Sequence, residues 1–326
     1  MNKEYAGKLS PKLFSLDIEQ KPIRDGYGDG VVEAGRENKN VVVLCCDLKE
    51  STRSEWFEKE FPDRFIEVGV AEQNMAGLAA GMSFCGKIPF ISSYAVFSPG
   101  RNWDQIRVSI CYSEANVKIM GGHGGISVGP DGATHQALED VAITRVLPNM
   151  TVIVPADYWE CKKAVIEAAK MKGPVYIRFA REKSPVFTTN ASPFKIGRAE
   201  ILRQGSDIVI VACGQLVYEA LVAAKELSAQ GMSVMVINSH TIKPLDSKTI
   251  LMAAKKCGRV VTVEEHQVTG GFGGAVAEFL SQNYPAPLKI LGVKDRFGES
   301  GQPQELLKKF GLTSKSIVQA CKSLIK

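Results

Sequence analysis

The stretch Arg64-Phe65-Ile66-Glu67-Val68-Gly69-Val70-Ala71-Glu72-Gln73-Asn74-Met75-Ala76-Gly77-Leu78-Ala79-Ala80-Gly81-Met82 reads as a strand running straight into a helix. β-Branched Ile66, Val68 and Val70 in the short run from Phe65 to Val70 predict the strand, and the good helix formers after Ala71 predict the helix. Glu72 then falls in the first helical turn, where the helix dipole favours an acid. Gly77 and Gly81, four apart and flanked by Ala76, Ala79 and Ala80, cost helix propensity; the cost makes sense where another backbone comes close to that face. A close-packed helix makes its first-turn carboxyl a half-buried one, and a carboxyl in a low-dielectric setting can share a proton with a ligand nitrogen near neutral pH. Two roles are open to Glu72 on these grounds, completion of a helix N-terminus and proton sharing with a ligand.

The same strand-then-helix alternation extends to both sides. Upstream, a helix is expected at about 27–38, then a buried strand Val41-Val42-Val43-Leu44-Cys45-Cys46 ending at Asp47. Downstream come a strand at 87–93, a helix at about 101–114, the strand Val117-Lys118-Ile119-Met120, a glycine-rich loop at 121–132 and a helix near 135–144. The strand Thr151 to Val154, a helix at 157–171 and the strand Val175 to Phe179 follow. Residues from Glu182 to Ile196 hold Pro185, Pro193 and a Thr-Thr-Asn-Ala-Ser run and read as a linker. A second α/β unit then begins at Asp207-Ile208-Val209-Ile210-Val211. The expected fold class is α/β, two doubly wound domains with mainly parallel sheets, because strands alternating with helices are covered on both faces. The divisions are an N-terminal extension at 1–22 that either drapes over something or is partly mobile, a first domain at 23–183, a linker at 184–196 and a second domain at 197–326.

Composition narrows the function classes. With 326 residues, 45% of them hydrophobic and 23% charged, the chain is long enough for two ordinary cores. Its net charge of +5 is spread out, with no stripe of Lys and Arg interleaved with aromatics, which argues against a nucleic-acid partner and weakly suits an anionic small substrate. No apolar run approaches the roughly 18 residues a membrane span requires. The eight cysteines form no CxxC pair, the usage of a reducing cytosol, so a cytoplasmic protein is expected.

Gly121-Gly122-His123-Gly124-Gly125-Ile126-Ser127-Val128-Gly129-Pro130-Asp131-Gly132-Ala133-Thr134-His135-Gln136 carries the most specific chemistry. A glycine-rich loop after a buried strand marks the C-terminal edge of a parallel sheet, where α/β proteins bind ligands. It presents two of the four histidines with an aspartate, a set suited to moving protons. His240 and His266, at strand ends in the second domain, read as structural. Gly270-Gly271-Phe272-Gly273-Gly274 resembles a phosphate cradle but lacks GxGxxG spacing, so close helix-to-sheet packing is an equal reading.

Together, Val68-Gly69-Val70-Ala71-Glu72-Gln73 and Asp131-Gly132-Ala133-Thr134-His135-Gln136 resemble the C-terminal half of a transketolase, from about residue 20 to the end and including Asp295-Arg296-Phe297-Gly298-Glu299-Ser300-Gly301. The resemblance implies a pyrimidine-binding domain and a transketolase C-terminal domain, without the family's diphosphate-binding domain. Gly28-Asp29-Gly30 does not supply that domain's motif: no strand precedes it and no asparagine closes it between Arg53 and Phe61, so it reads as a plain helix start with Asp29 in the first turn. The implied protein is the C-terminal subunit of a split, thiamine-diphosphate-dependent transketolase that moves a two-carbon ketol unit from a ketose phosphate to an aldose phosphate. Its expected partner is a separate N-terminal subunit that holds the diphosphate and a Mg2+ or Ca2+ ion. The small-residue helix face suggests self-association into a heterotetramer.

By the same resemblance Glu72 bonds the ring nitrogen of the cofactor's aminopyrimidine, His123 and His135 act at the reacting carbonyl, and Asp131 joins them on substrate hydroxyls. Arg24, Ser51 and Arg181 match positions that hold the substrate phosphate, and Asp47 preserves the spacing between Arg24 and Ser51 and counts with the cofactor contacts. Tyr94 and Phe97 are the aromatic candidates for stacking on the pyrimidine, in a segment that aligns only with a shift of about a residue. Deoxyxylulose-phosphate synthase shares the glutamate but usually has arginine where His123 stands, and the β subunit of 2-oxo acid dehydrogenases lacks the Asp-Gly-x-Thr-His-Gln loop. Either relative, or a non-catalytic paralogue, is the alternative reading.

Overall fold

The computed structural model describes residues 5, 6 and 8–325; the first four residues of the expected extension, Gly7 and Lys326 lie outside it. Six parallel strands form the core of the first sheet. Their order across the sheet is Thr151–Ile153, Val175–Arg178, Lys118–Gly122, Ile88–Tyr94, Val41–Cys45 and Phe65–Glu67. Val41–Cys45 and Val175–Arg178 are buried along their whole length, as apolar runs are when helices lie on both faces. The chain leaves Val41–Cys45 towards one side of the sheet and builds the rest on the other. The order therefore reverses between Val41–Cys45 and Ile88–Tyr94, and the crevice beyond their carboxyl ends is the place where such sheets bind ligands.

A seventh strand, Thr241–Lys243, pairs antiparallel with Thr151–Ile153 although it comes from beyond the linker. The second sheet runs Leu288–Val293, Val260–Gln267, Ile208–Ala212 and Val234–Asn238 in parallel, with Glu200–Arg203 antiparallel at its edge. The N-terminal segment buries Leu9, Leu13 and Ile18 against the second domain's core with Leu216, Val217 and Leu221. Its Gln20–Pro22 pairs with Lys183–Pro185, so part of the expected linker is a strand.

Several expected boundaries shift. The first helix runs Ile23–Glu37, which puts Gly28-Asp29-Gly30 in its interior and Asp29 outside the first turn. These positions are packing sites: a Cβ on Gly30 would meet the Lys162 carbonyl at 2.9 Å, and Asp29 accepts a hydrogen bond from the Tyr158 hydroxyl at 2.5 Å. The strand expected to reach Val70 stops at Glu67, where the backbone turns into left-handed Gly69 at φ 73°. The helix expected at about 101–114 is a short turn at Trp103–Gln105 followed by a wider π-helical segment, Ile106–Tyr112. The helix expected near 135–144 begins only at Asp140, because Ala137 is already engaged by the Gly125 N–H at 2.9 Å.

Candidate active site

Glu72 opens the helix Glu72–Phe84 and is only 1% exposed, so it is more deeply buried than the expected half-buried carboxyl. Its oxygens accept hydrogen bonds from Arg101 Nη1 at 2.7 Å and Ser93 Oγ at 3.3 Å, while Asn102 Nδ2 donates to its backbone carbonyl at 3.1 Å. The Arg101 guanidinium also lies over the Phe97 ring, 4.7 Å from its centroid. Arg101 escaped the sequence reading, since an arginine 29 positions from its carboxylate belongs to no short motif.

The rings of Tyr94, Phe97, His123 and His135 gather beside this pair. Tyr94 stacks on His123 with centroids 3.9 Å apart, Tyr94 and Phe97 stack at 5.9 Å, and both meet the edge of His135 at 5.8 and 5.7 Å. His123 is 1% exposed, has a left-handed φ of 57°, and leaves its Nδ1 without a hydrogen-bond partner among the described residues. Burial, then the positive charges of Arg24 and Arg181, push its imidazole down to about 2, so it is neutral at physiological pH. His135 Nδ1 bonds the Thr134 hydroxyl at 2.9 Å.

Asp131 accepts a hydrogen bond from Arg181 at 2.9 Å, and Arg24 donates to the Ser51 carbonyl at 2.9 Å. Arg24 and Arg181, with Arg53, line a cavity of about 420 Å³. Burial, then the charge of Arg53, lowers the pKa of Arg24. Asp47 stands apart: its N–H donates to Glu67 Oε1 at 2.8 Å, and no hydrogen bond, ion pair or ring contact among the described residues joins it to the others. Glu67 also accepts from the Gly69 N–H at 2.8 Å and so clamps the turn that leads into Glu72.

The loop bearing both histidines is held from the second domain. The buried carboxylate of Glu265 accepts from the Ser127 N–H and from Gln215 Nε2, and a Cβ on Gly125 would collide with it at 2.5 Å. Gln136 donates to the Ile126 and Glu299 carbonyls, both at 3.0 Å. Beneath the loop the buried Arg178 pairs with Asp140 at 2.9 Å and donates to the Glu265 carbonyl at 2.7 Å. The Gly270–Gly274 turn is no phosphate cradle, because the Glu264 carboxylate already takes the N–H groups of Phe272 and Gly273 at 2.6 and 2.8 Å.

Residues 19–186 match the transketolase pyrimidine-binding domain and residues 197–317 the transketolase C-terminal domain. The chain belongs to the transketolase family. It is 46% identical to a Methanocaldococcus jannaschii protein described as "Putative transketolase C-terminal section", over 94% of this chain and 97% of that one. It is 42% identical to the 6-deoxy-6-sulfo-D-fructose transketolase subunit SqwH of a Clostridium species, over 94% and 95% of the two chains. A solved structure described as a split gene transketolase, inactive beta4 tetramer, superposes with a TM-score of 0.87 at 47% identity, covering 93% of this chain and 98% of that one.

Membership in the transketolase family implies thiamine diphosphate. The buried carboxylate at a helix start, the paired aromatics and the orphaned His123 nitrogen form a polar edge and an apolar face of the kind a flat, nitrogen-bearing ring requires. No cluster of His, Cys, Asp and Glu suited to a metal ion occurs among the described residues.

Proposed function

We propose that this chain is the C-terminal subunit of a thiamine-diphosphate-dependent transketolase, in which a separate N-terminal subunit supplies the diphosphate and metal site. The two form a cytoplasmic heterotetramer that passes a two-carbon ketol unit from a ketose phosphate to an aldose phosphate. The segment 184–196 is the linker between its two functional domains. The observation that carries this reading is the meeting of Glu72, the Tyr94–Phe97 pair and both loop histidines at the carboxyl ends of the strands where the sheet order reverses.

When bound, thiamine diphosphate supplies a carbon nucleophile and an electron sink. Glu72 would hold the edge of its pyrimidine, with Tyr94 or Phe97 against the face. Arg101 holds Oε2, so Oε1, which among the described residues carries only the 3.3 Å bond from Ser93, is the oxygen left for that contact. His123, kept neutral by burial and neighbouring arginines, orients substrate hydroxyls without adding charge. His135 has no hydrogen bond at Nε2 among the described residues and exchanges a proton there near the reacting carbonyl, and Asp131 is held in place by Arg181. Arg24 and Arg181 grip the phosphate end through planar forks, with Ser51 as the third expected contact.

Reconstitution tests the reading. The purified chain alone should bind thiamine diphosphate weakly by calorimetry and show no ketol transfer in a coupled assay; adding the N-terminal subunit should restore both. Tight binding or turnover by the lone chain would overturn the two-subunit reading. Because His123 stands where the synthase relative has arginine, pyruvate with glyceraldehyde phosphate should yield no deoxyxylulose phosphate. That product as the main one would favour the alternative activity.

A further inference from the structure

We propose that Arg53 is a third arginine of the substrate-anion pocket and that, with Gln302 and Gln304 from the second domain, it selects sugars ending in a phosphate. The proposal rests on the transketolase reading and extends its set of Arg24, Ser51 and Arg181. The cavity of about 420 Å³ is walled by these three arginines on the first domain and by Gln302, Pro303 and Gln304 on the second, so the anion would be held across the domain boundary.

Arg53 is built into place. It ends the short helix Lys49–Thr52 with a left-handed φ of 72°, a conformation that a non-glycine residue keeps only when its surroundings enforce it. Its Nε pairs with Asp25 at 2.8 Å, its Nη1 donates to the Glu50 carbonyl at 3.0 Å, and its guanidinium lies 5.8 Å from the Trp56 ring. The opposite helix leaves space for this arrangement: a Cβ on Gly28 would come within 2.4 Å of the Trp56 ring and 2.9 Å of the Arg53 Cβ. These bonds use Nε and Nη1, and Nη2 has no partner among the described residues.

With Lys183 on its lining beside the three arginines, the pocket sets four cations against the carboxylates of Asp25, Asp131 and Glu182. Asp25 pairs with Arg53, and Asp131 and Glu182 with Arg181, whereas Arg24 feels Asp25 and Glu182 only at longer range, bonds the Ser51 carbonyl and leaves its buried Nε unpartnered among the described residues. Arg53 and Arg181 both lower the pKa of Arg24, so the guanidinium groups repel one another across one space. A phosphate dianion relieves that repulsion and offers several acceptors to planar forks; a hydroxyl at the same end of a sugar does neither.

Arg53→Gln, assembled with the N-terminal subunit, separates the possibilities. With an aldose phosphate acceptor we expect kcat/KM to fall about 10- to 100-fold, mostly through KM, while the same sugar without its phosphate changes less than about twofold. Equal losses on both sugars, or none, would overturn the proposal. Inorganic phosphate titrated onto the full chain alone, followed by 31P line broadening, reads the same pocket without catalysis. Its binding should weaken at least about tenfold in the variant, and unchanged binding would also overturn the proposal. Absence of ketol transfer by the wild-type pair would refute the transketolase reading, and the phosphate titration would then decide Arg53 by itself.

Discussion

The Glu72–Arg101 pair makes the role of Glu72 measurable. In Glu72→Gln the guanidinium of Arg101, whose side chain is 46% exposed, can turn back to water, so the fold should lose only about 1–2 kcal/mol by urea unfolding. If the carboxyl shares a proton with the pyrimidine, the assembled variant should still bind cofactor within about tenfold and exchange its thiazolium C2 proton at least about 100-fold more slowly. Near-normal exchange, followed by deuterium NMR after acid quench, would return Glu72 to completing its helix. His123 makes a second prediction at this scale. Its folded-state pKa of about 2 lies below the unfolded value near 6.5, so the unfolded chain binds the extra proton. The stability it leaves intact above pH 6.5 is therefore lost as the pH falls towards its folded pKa. His123→Asn, which suits the left-handed φ, should lose about 2 kcal/mol less than wild type between pH 7 and pH 5 in urea titrations. Identical losses in the two proteins would show that His123 is charged in the folded state.

At the scale of elements, the helix Glu72–Phe84 was legible in part. Ala76, Ala79 and Ala80 pack into the core, and Gly77 and Gly81 meet nothing within the chain, which leaves their face open for the second copy expected there. The same helix exposes Leu78 at 44% and Phe84 at 64%, and the adjacent π-helical segment exposes Tyr112 at 84%. Apolar surface of this kind marks an interaction face. The double variant Leu78→Glu and Phe84→Glu should keep wild-type circular dichroism and lose its assembly in light scattering; an intact assembly would place the contact elsewhere. Strands such as Val41–Cys45 could be read directly because burial on both faces leaves an uninterrupted apolar run. Thr241–Lys243 could not, since three residues carry no period and their pairing partner lies about ninety positions away. The supports of the histidine loop were hidden for a related reason. Glu265 and Gln215 reveal their purpose only when the second domain folds against the first.

For the whole molecule, the two domains share more than a linker. Asn238 Nδ2 donates to the buried Glu160 across the boundary at 2.7 Å, and Lys243 donates to the Arg145 carbonyl at 3.0 Å. Expressed alone, residues 1–196 would leave Thr151–Ile153 as an unpaired apolar edge and should aggregate, whereas a proteolytic nick in the linker should leave both pieces in one peak on gel filtration. A soluble, monomeric 1–196 fragment would contradict this.

The strand Thr241–Lys243 also bears on how a gene for such an enzyme can be divided. A break is tolerable where each product closes its own hydrogen-bond ladder. The end of the first domain does not qualify, because a polypeptide stopped there would be released from the ribosome with its sheet one strand short and would have to find that strand on another molecule. Fission at that point selects for mispairing, so these two domains are expected to travel through evolution as one reading frame even where other parts of the enzyme become separate genes.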